Sequence, residues 1–169
     1  MRMPRLTRDF FRKPTLTVAQ ALLGKIIVFA NHKIQITETE AYLGEGDPAC
    51  HASRGLTKRT AVMFGAPGFS YVYFIYGMYH CLNFVTEPKG TPAAVLIRGG
   101  LDMNSKVLID GPGKLCRHLG ITKDMHNSID VVESKDFYLF DTGIQPNFIQ
   151  TPRIGIKLAA DKPWRFLVK

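Results

Sequence analysis

The sequence predicts an α+β fold built on a largely antiparallel sheet. Short helical segments are scattered among many strand-like runs. Turn signals join those runs without the βαβ alternation of a parallel sheet, and 169 residues are enough for one well-buried core. A single domain over residues 1–169 is therefore expected.

A first helix is expected over residues 17–23, TVAQALL, with Thr17 as N-cap, Gln20 at the capping-box position and Gly24 as the stop. KIIVFA and KIQITETEAYL then predict a hairpin turning at Asn31-His32. Residues 44–59, GEGDPACHASRGLTKR, are rich in glycine, charge and small side chains without a period, which predicts a long surface loop. AVMFGAPG closes on a Pro-Gly turn, and SYVYFIYGMYHCLNFVT predicts two aromatic-rich strands hinged at Tyr76-Gly77. AAVLIRGG is a further strand, while LDMNSKVLID is assigned to no element. GPGKLCRHLG reads as a short helix with Pro112 at its start and Gly120 just past its end. DFYLFD, TPRIGIKL and WRFLVK predict three closing strands.

Apolar residues make up 46% of the chain and charged residues 21%, a balance that excludes a disordered protein. The 22 Lys and Arg against 14 Asp and Glu leave a formal charge of +8, which attracts polyanions, nucleic acid first among them, or simply solubilises a surface. Three widely spaced cysteines without a CxxC pair signal neither a disulfide framework nor a zinc cluster, and a reducing cytoplasm fits them best. Cys50 and His51 are neighbours whose side chains point apart on an extended segment, so no metal site is expected there or elsewhere. The basic start MRMPRLTRDFFRKP lacks a following apolar stretch, and no run approaches the eighteen or so apolar residues of a spanning helix, so neither a secretory signal nor a membrane association is expected.

On a regular strand Ile34, Ile36, Glu38, Glu40 and Tyr42 share one face, an apolar face that turns acidic. Either the strand emerges into solvent there, or the carboxylates serve a site. Tyr71 and Tyr73 share a face, with Phe74 and Tyr76 on the other; they are core aromatics or a platform on which flat rings stack. His51 either meets a bound base or is a solvated loop histidine. Lys58, Arg59, Arg153 and Lys157 either meet phosphates or are only solvated. Aromatic faces, a hairpin tip able to enter a base stack and a nearby carboxylate able to activate water together suggest chemistry on a nucleobase.

The runs TETEAYLG, DPACHASRG, VMFGAPGFSYVYFIYGMYHCLNFV, AAVLIR and GPGKLC, in this order and at these separations, resemble the alkyladenine (3-methyladenine or methylpurine) DNA glycosylase family. The resemblance implies one mixed domain with a curved antiparallel sheet and a protruding hairpin. It implies that Glu40 activates the hydrolytic water, which strand alternation could not separate from Glu38, and that Arg98 lies near that water and acid. By the same resemblance Tyr42, His51 and Tyr73 hold and stack on the flipped base, with Tyr71 a further tyrosine of the site. Asn83 matches the residue at the pocket floor that disfavours the amino group of guanine, and Tyr76 the aromatic wedge that enters the duplex.

The implied partner is double-stranded DNA carrying damaged purines, handled by a monomer without a cofactor. No lysine falls within the matched runs that carry these site residues, so neither a Schiff base nor strand cleavage is expected. Two departures stand out. The connection between Arg98 and Gly111 is short, and ASRGLTKRTAVMF differs from the family's usual wording, which leaves Lys58 and Arg59 open as phosphate ligands. Two other readings remain at this point. One is a non-catalytic nucleic-acid-binding module, against which Glu40 counts because a carboxylate repels phosphate unless it has another task. The other is a small-molecule hydrolase with an aromatic pocket.

Overall fold

The computed structural model describes residues 3–169. Its elements in chain order are α1 (Arg8–Arg12), α2 (Thr15–Ala21), β1 (Ile26–Phe29), β2 (His32–Tyr42), β3 (Ser70–Ile75), β4 (Tyr79–Val85), β5 (Ala94–Asp102) and β6 (Leu108–Asp110), then α3 (Pro112–Leu119), α4 (Lys123–His126), β7 (Phe137–Phe140), β8 (Phe148–Thr151) and β9 (Arg165–Val168). The strands form one curled nine-stranded sheet in the order β3-β4-β5-β2-β1-β7, with β6 beside β5 and β9, then β8, beside β2. Every pairing is antiparallel, as the α+β expectation requires.

The start of α2 differs from the local pattern. It begins at Thr15 after Pro14, so Thr17 is interior and the expected capping box is absent. The Glu87 carboxylate takes over the cap: it accepts the Thr15 N–H at 3.2 Å and the Thr15 hydroxyl. A partner 72 residues away satisfies one orphan donor of the first turn, and no local motif could reveal it. In the β1–β2 hairpin Phe29 pairs with His32, so the turn is Ala30-Asn31, one residue earlier than expected, with Ala30 at φ 52.

The β2–β5 register breaks between Ile36 and Thr39. A bulge there swaps the two faces of the strand. Ile34, Ile36, Thr39 and Ala41 are fully buried, and the Thr39 hydroxyl donates to the Ala19 carbonyl of α2 at 2.8 Å, so these four face the main core. Glu38, Glu40 and Tyr42 face the other side. The continuous apolar-to-acidic face expected from strict alternation is therefore not formed.

Residues 101–110, whose local pattern favours no element, complete β5 and turn back as β6. α3 starts at Pro112 and ends at Gly120, whose φ of 74 is the left-handed cap that glycine adopts without strain. TPRIGIKL is not a strand: only Thr151 belongs to one, and residues 152–158 run irregularly across the sheet. The Ile154 N–H there serves a side chain instead of a strand ladder. α1, α4 and β8 were not anticipated, being too short to express a hydrophobic period.

The main core lies between one sheet face and the helices, around Phe11, Leu22, Leu23, Val72, Leu82, Phe84, Ile97 and Leu115, each fully buried. Burial of each such side chain contributes about 1.5–3 kcal/mol. A smaller cluster, with Cys50, Met63, Tyr71, Tyr73, Cys81 and Leu96, sits on the opposite face. Strand alternation does the sorting: Val72, Leu82 and Phe84 go to the core, and Tyr71, Tyr73, Cys81 and Asn83 to the far side. All three cysteines are buried and free. No helix among the described residues is long and apolar enough to cross a membrane.

Candidate active site

The register sets four side chains in one row across the sheet: Tyr71 on β3, Asn83 on β4, Leu96 on β5 and Glu40 on β2. Three strand spacings separate Tyr71 from Glu40, a span of about 14 Å. Over this floor opens a cavity of about 590 Å³, the size of a small-molecule site. Its walls come from β3, from the loop around His51, from the first turn of α3 and from residues 154–158. Gly113 lets α3 approach β4 closely, since a Cβ there would lie 2.6 Å from the Tyr79 ring. Every expected site residue lines this cavity: Glu40, Tyr42, His51, Tyr71, Tyr73, Tyr76, Asn83 and Arg98.

Glu40 is fully buried. Its Oε1 accepts the Tyr42 hydroxyl at 2.8 Å, and its Oε2 accepts the Ile154 N–H at 2.7 Å. Burial pushes its carboxyl above the ordinary range, opposed by the Ile154 N–H, the Arg98 guanidinium and the Tyr42 hydroxyl. Glu38 is its opposite in role. One oxygen of Glu38 accepts from Arg98 Nε at 3.0 Å and Arg165 Nε at 2.6 Å, whereas Arg98 Nε stays 3.8 Å from Glu40. Two cations meet Glu38 directly, whereas Glu40 has only Arg98 near it, at 3.8 Å. The alternation of TETEA could not make this distinction; Arg165, 127 residues from Glu38, makes it.

His51 Nδ1 lies 2.9 Å from the Tyr71 hydroxyl, and the imidazole meets the Tyr73 ring edge-on at 4.5 Å. Burial, helped by the Arg59 guanidinium, pushes His51 down to about 4, so it is neutral at neutral pH. Burial also pushes the Tyr71 phenol up to about 12, and raises those of Tyr42 and Tyr73 further. The tyrosines therefore remain neutral, electron-rich faces. Asn83 Nδ2 donates to the Tyr71 carbonyl at 3.0 Å, which fixes the amide at the cavity floor.

Tyr76 is 75% exposed at the tip of the β3–β4 hairpin, flanked by exposed Phe74 and Met78. Its φ is 56 and that of Gly77 is 63, and the Ile75 carbonyl accepts the Met78 N–H at 3.2 Å. A bulky aromatic in left-handed backbone costs about 1 kcal/mol or more. It also stands in the turn, so it shares no strand face with Phe74 as alternation had suggested.

Two expectations about charge are corrected. Arg153 meets no phosphate: it is buried, paired to both oxygens of Asp47 at 2.5 and 2.9 Å, and donates to the Ala41 carbonyl at 3.0 Å. Its guanidinium also lies 4.8 Å from the Tyr42 ring centre and 4.9 Å from that of Trp164. The pocket is not free of lysine either, because Lys114 and Lys157 line its rim. Lys114 Nζ is held by the exposed Asp110 at 2.9 Å. The Asp47–Arg153 pair and the Ile154 N–H are features of the site that sequence reasoning missed, and their contacts join positions more than a hundred residues apart.

Fold and site together define a class: α+β proteins whose curled antiparallel sheet carries, on the face away from its core, an aromatic-walled cavity floored by a buried carboxylate. Within it, this chain belongs to the methylpurine-DNA glycosylase family, whose sequence model matches residues 9–169. A Sodalis glossinidius protein is 56% identical over 163 residues, 95% of either chain, and one from Wolbachia pipientis subsp. Culex pipiens is 57% identical over 162 residues, 95% of this chain and 88% of its own. An Ehrlichia chaffeensis protein is 54% identical over 167 residues, 96% of this chain and 92% of its own. Each of the three bears the name "Putative 3-methyladenine DNA glycosylase".

Proposed function

We propose that this protein is a DNA glycosylase of base-excision repair. It rotates an alkylated or deaminated purine out of duplex DNA and hydrolyses its N-glycosidic bond, leaving an intact strand with an abasic sugar. The observation that carries the reading is the buried Glu40 carboxylate, held by Tyr42 and Ile154 at the floor of an aromatic-walled cavity of about 590 Å³. Glu40 takes a proton from a water whose oxygen attacks the anomeric carbon as the bond to the base breaks. Water is the only co-substrate in this scheme, and the protein acts as a monomer.

Alkylation at N3 or N7 makes the purine cationic, and such a base leaves as a neutral molecule, whereas a neutral deaminated purine such as hypoxanthine must take up a proton as it leaves. The neutral Tyr42 and Tyr73 faces favour that charge by cation–π attraction, and an uncharged His51 does not repel it. Extrusion of the nucleotide costs a few kcal/mol, which stacking of roughly 1–3 kcal/mol per aromatic contact offsets. The net charge of +8 supports attraction to the duplex.

The test is release of free base from duplexes carrying 3-methyladenine, 7-methylguanine, hypoxanthine or ethenoadenine. Binding to these duplexes without release of any base would leave only a binding module.

Two variants examine the assigned roles. Tyr76→Ala is expected to leave the melting temperature within about a degree or two, because the ring is exposed, while base release from duplex falls roughly 5- to 100-fold. A melting temperature that collapses would make Tyr76 a packing residue instead. Asn83→Ser is expected to raise the rate on 7-methylguanine relative to 3-methyladenine by about tenfold, since the amide that crowds the guanine amino group is gone. An unchanged ratio between the two lesions removes Asn83 from that role.

A further inference from the structure

His32 opens β2, Asp102 closes β5 and His118 lies in the last turn of α3, and none of the three lines the cavity. The fold nevertheless brings their side chains together. His32 Nδ1 is 3.0 Å and His118 Nε2 is 2.6 Å from the same Asp102 oxygen, Oδ2, and the three atoms lie within 4.8 Å of one another. No local motif announces the group, because its members are 70 and 16 residues apart.

We propose that His32, Asp102 and His118 form a binding site for a divalent transition metal, Zn²⁺ being the ion whose preferences the donors meet best. Two imidazole nitrogens and one carboxylate oxygen are a donor set that zinc accepts, with water filling the remaining position. Bonds of about 2.0–2.1 Å set tetrahedral ligand atoms roughly 3.3 Å apart, so the two N···O separations of 3.0 and 2.6 Å widen by some tenths of an ångström while the two nitrogens, within 4.8 Å of each other, settle to the same spacing. The other oxygen of Asp102 is already committed: Oδ1 accepts the Asn104 N–H at 2.9 Å and the Ser105 N–H at 3.2 Å, which aims Oδ2 at the imidazoles. The carboxylate is 2% exposed while the two histidines are 33% and 26% exposed, so an ion has an anchored base and an open side for water.

The consequence is mechanical. The far end of α3 is tied to the sheet where β2 begins and β5 ends, and the near end of the same helix, at Gly111, Pro112, Gly113 and Lys114, walls the cavity. A bound ion fixes the helix that closes one side of the site.

The test is titration of the purified, untagged full chain with Zn²⁺ by calorimetry, and with Co²⁺ by visible absorption. One ion per chain is expected, with the intense d–d bands of a four- or five-coordinate Co²⁺. Zn²⁺ at a hundredfold excess over its Kd should raise the melting temperature by roughly 5–10 °C. His118→Ala and the separate variant His32→Asn, at an exposed hairpin, should each weaken binding by at least about tenfold and remove the bands. Circular dichroism shows whether each variant is folded. Absence of binding by the parent chain, or binding that both folded variants retain, overturns the proposal and leaves the group as a hydrogen-bonded cluster only.

Discussion

Glu40→Gln is expected to abolish base release while preserving the protein and its hold on DNA. Removal of a general base costs about 10²–10⁴-fold in rate, whereas the shape of the cavity and the hydrogen bond from the Ile154 N–H survive in the amide. Single-turnover release from a 3-methyladenine duplex, beside binding of the same duplex, separates the two effects. Undiminished turnover would mean that some other group activates the water. The parent enzyme should gain activity with rising pH as Glu40 ionises, its acid limb displaced above the ordinary carboxylate range because burial disfavours the anion.

Stability carries the opposite sign. The folded pKa of Glu40 is raised above its unfolded value, so its favourable contribution is present at low pH and is lost as pH rises through the folded pKa. Above its folded pKa the buried carboxylate is a burden that glutamine removes. Glu40→Gln should therefore melt no lower than the parent at pH 8, with its relative advantage shrinking on acidification. Melting curves at pH 5 and 8 check this directly.

Arg153→Ala should be the most damaging single change to the fold. The Asp47–Arg153 pair has both side chains wholly buried, and truncating one partner leaves a carboxylate without compensation, a loss of about 3–5 kcal/mol. Thermal melting should fall by roughly 6–20 °C for a chain of this size. Asp47 also holds the loop that follows β2, accepting the Leu43 N–H at 3.2 Å and the Ala49 N–H at 3.1 Å, and Arg153 leads straight into the Ile154 N–H on Glu40. Activity should therefore fall along with stability. The double variant Asp47→Ala with Arg153→Ala should recover part of the lost stability, because no lone charge remains buried. Additive losses in that cycle would show that the pair is uncoupled.

The site was partly legible because most of it is local. Tyr71 and Tyr73 follow from period-two alternation, Asn83 came with the ordered motifs of the family, and the register of neighbouring strands sets all three in line with Glu40. Tyr76 stood out as a bulky aromatic beside glycine at a turn. Glu38 and Glu40 could not be told apart, since their difference lies in Arg98 and Arg165, which approach from other strands. The β2 bulge was hidden for a similar reason: it shows in the pairing with β5 and not in the composition of TETEA.

By itself the sequence determined the α+β class, the antiparallel hairpins, the α3 boundaries from Pro112 to Gly120 and the family to which the chain belongs, because periodicity, turn chemistry and ordered motifs are written in neighbouring residues. The tertiary structure alone decided which carboxylate is held by two arginines and which by Tyr42 and the Ile154 N–H at the cavity floor, that Arg153 is a buried strut and not a phosphate ligand, and that residues 152–158 cross the sheet instead of joining it. It also brought His32, Asp102 and His118 to one point. Each of those outcomes depends on a partner far along the chain, and burial and charge pairing act through space, where sequence distance has no bearing.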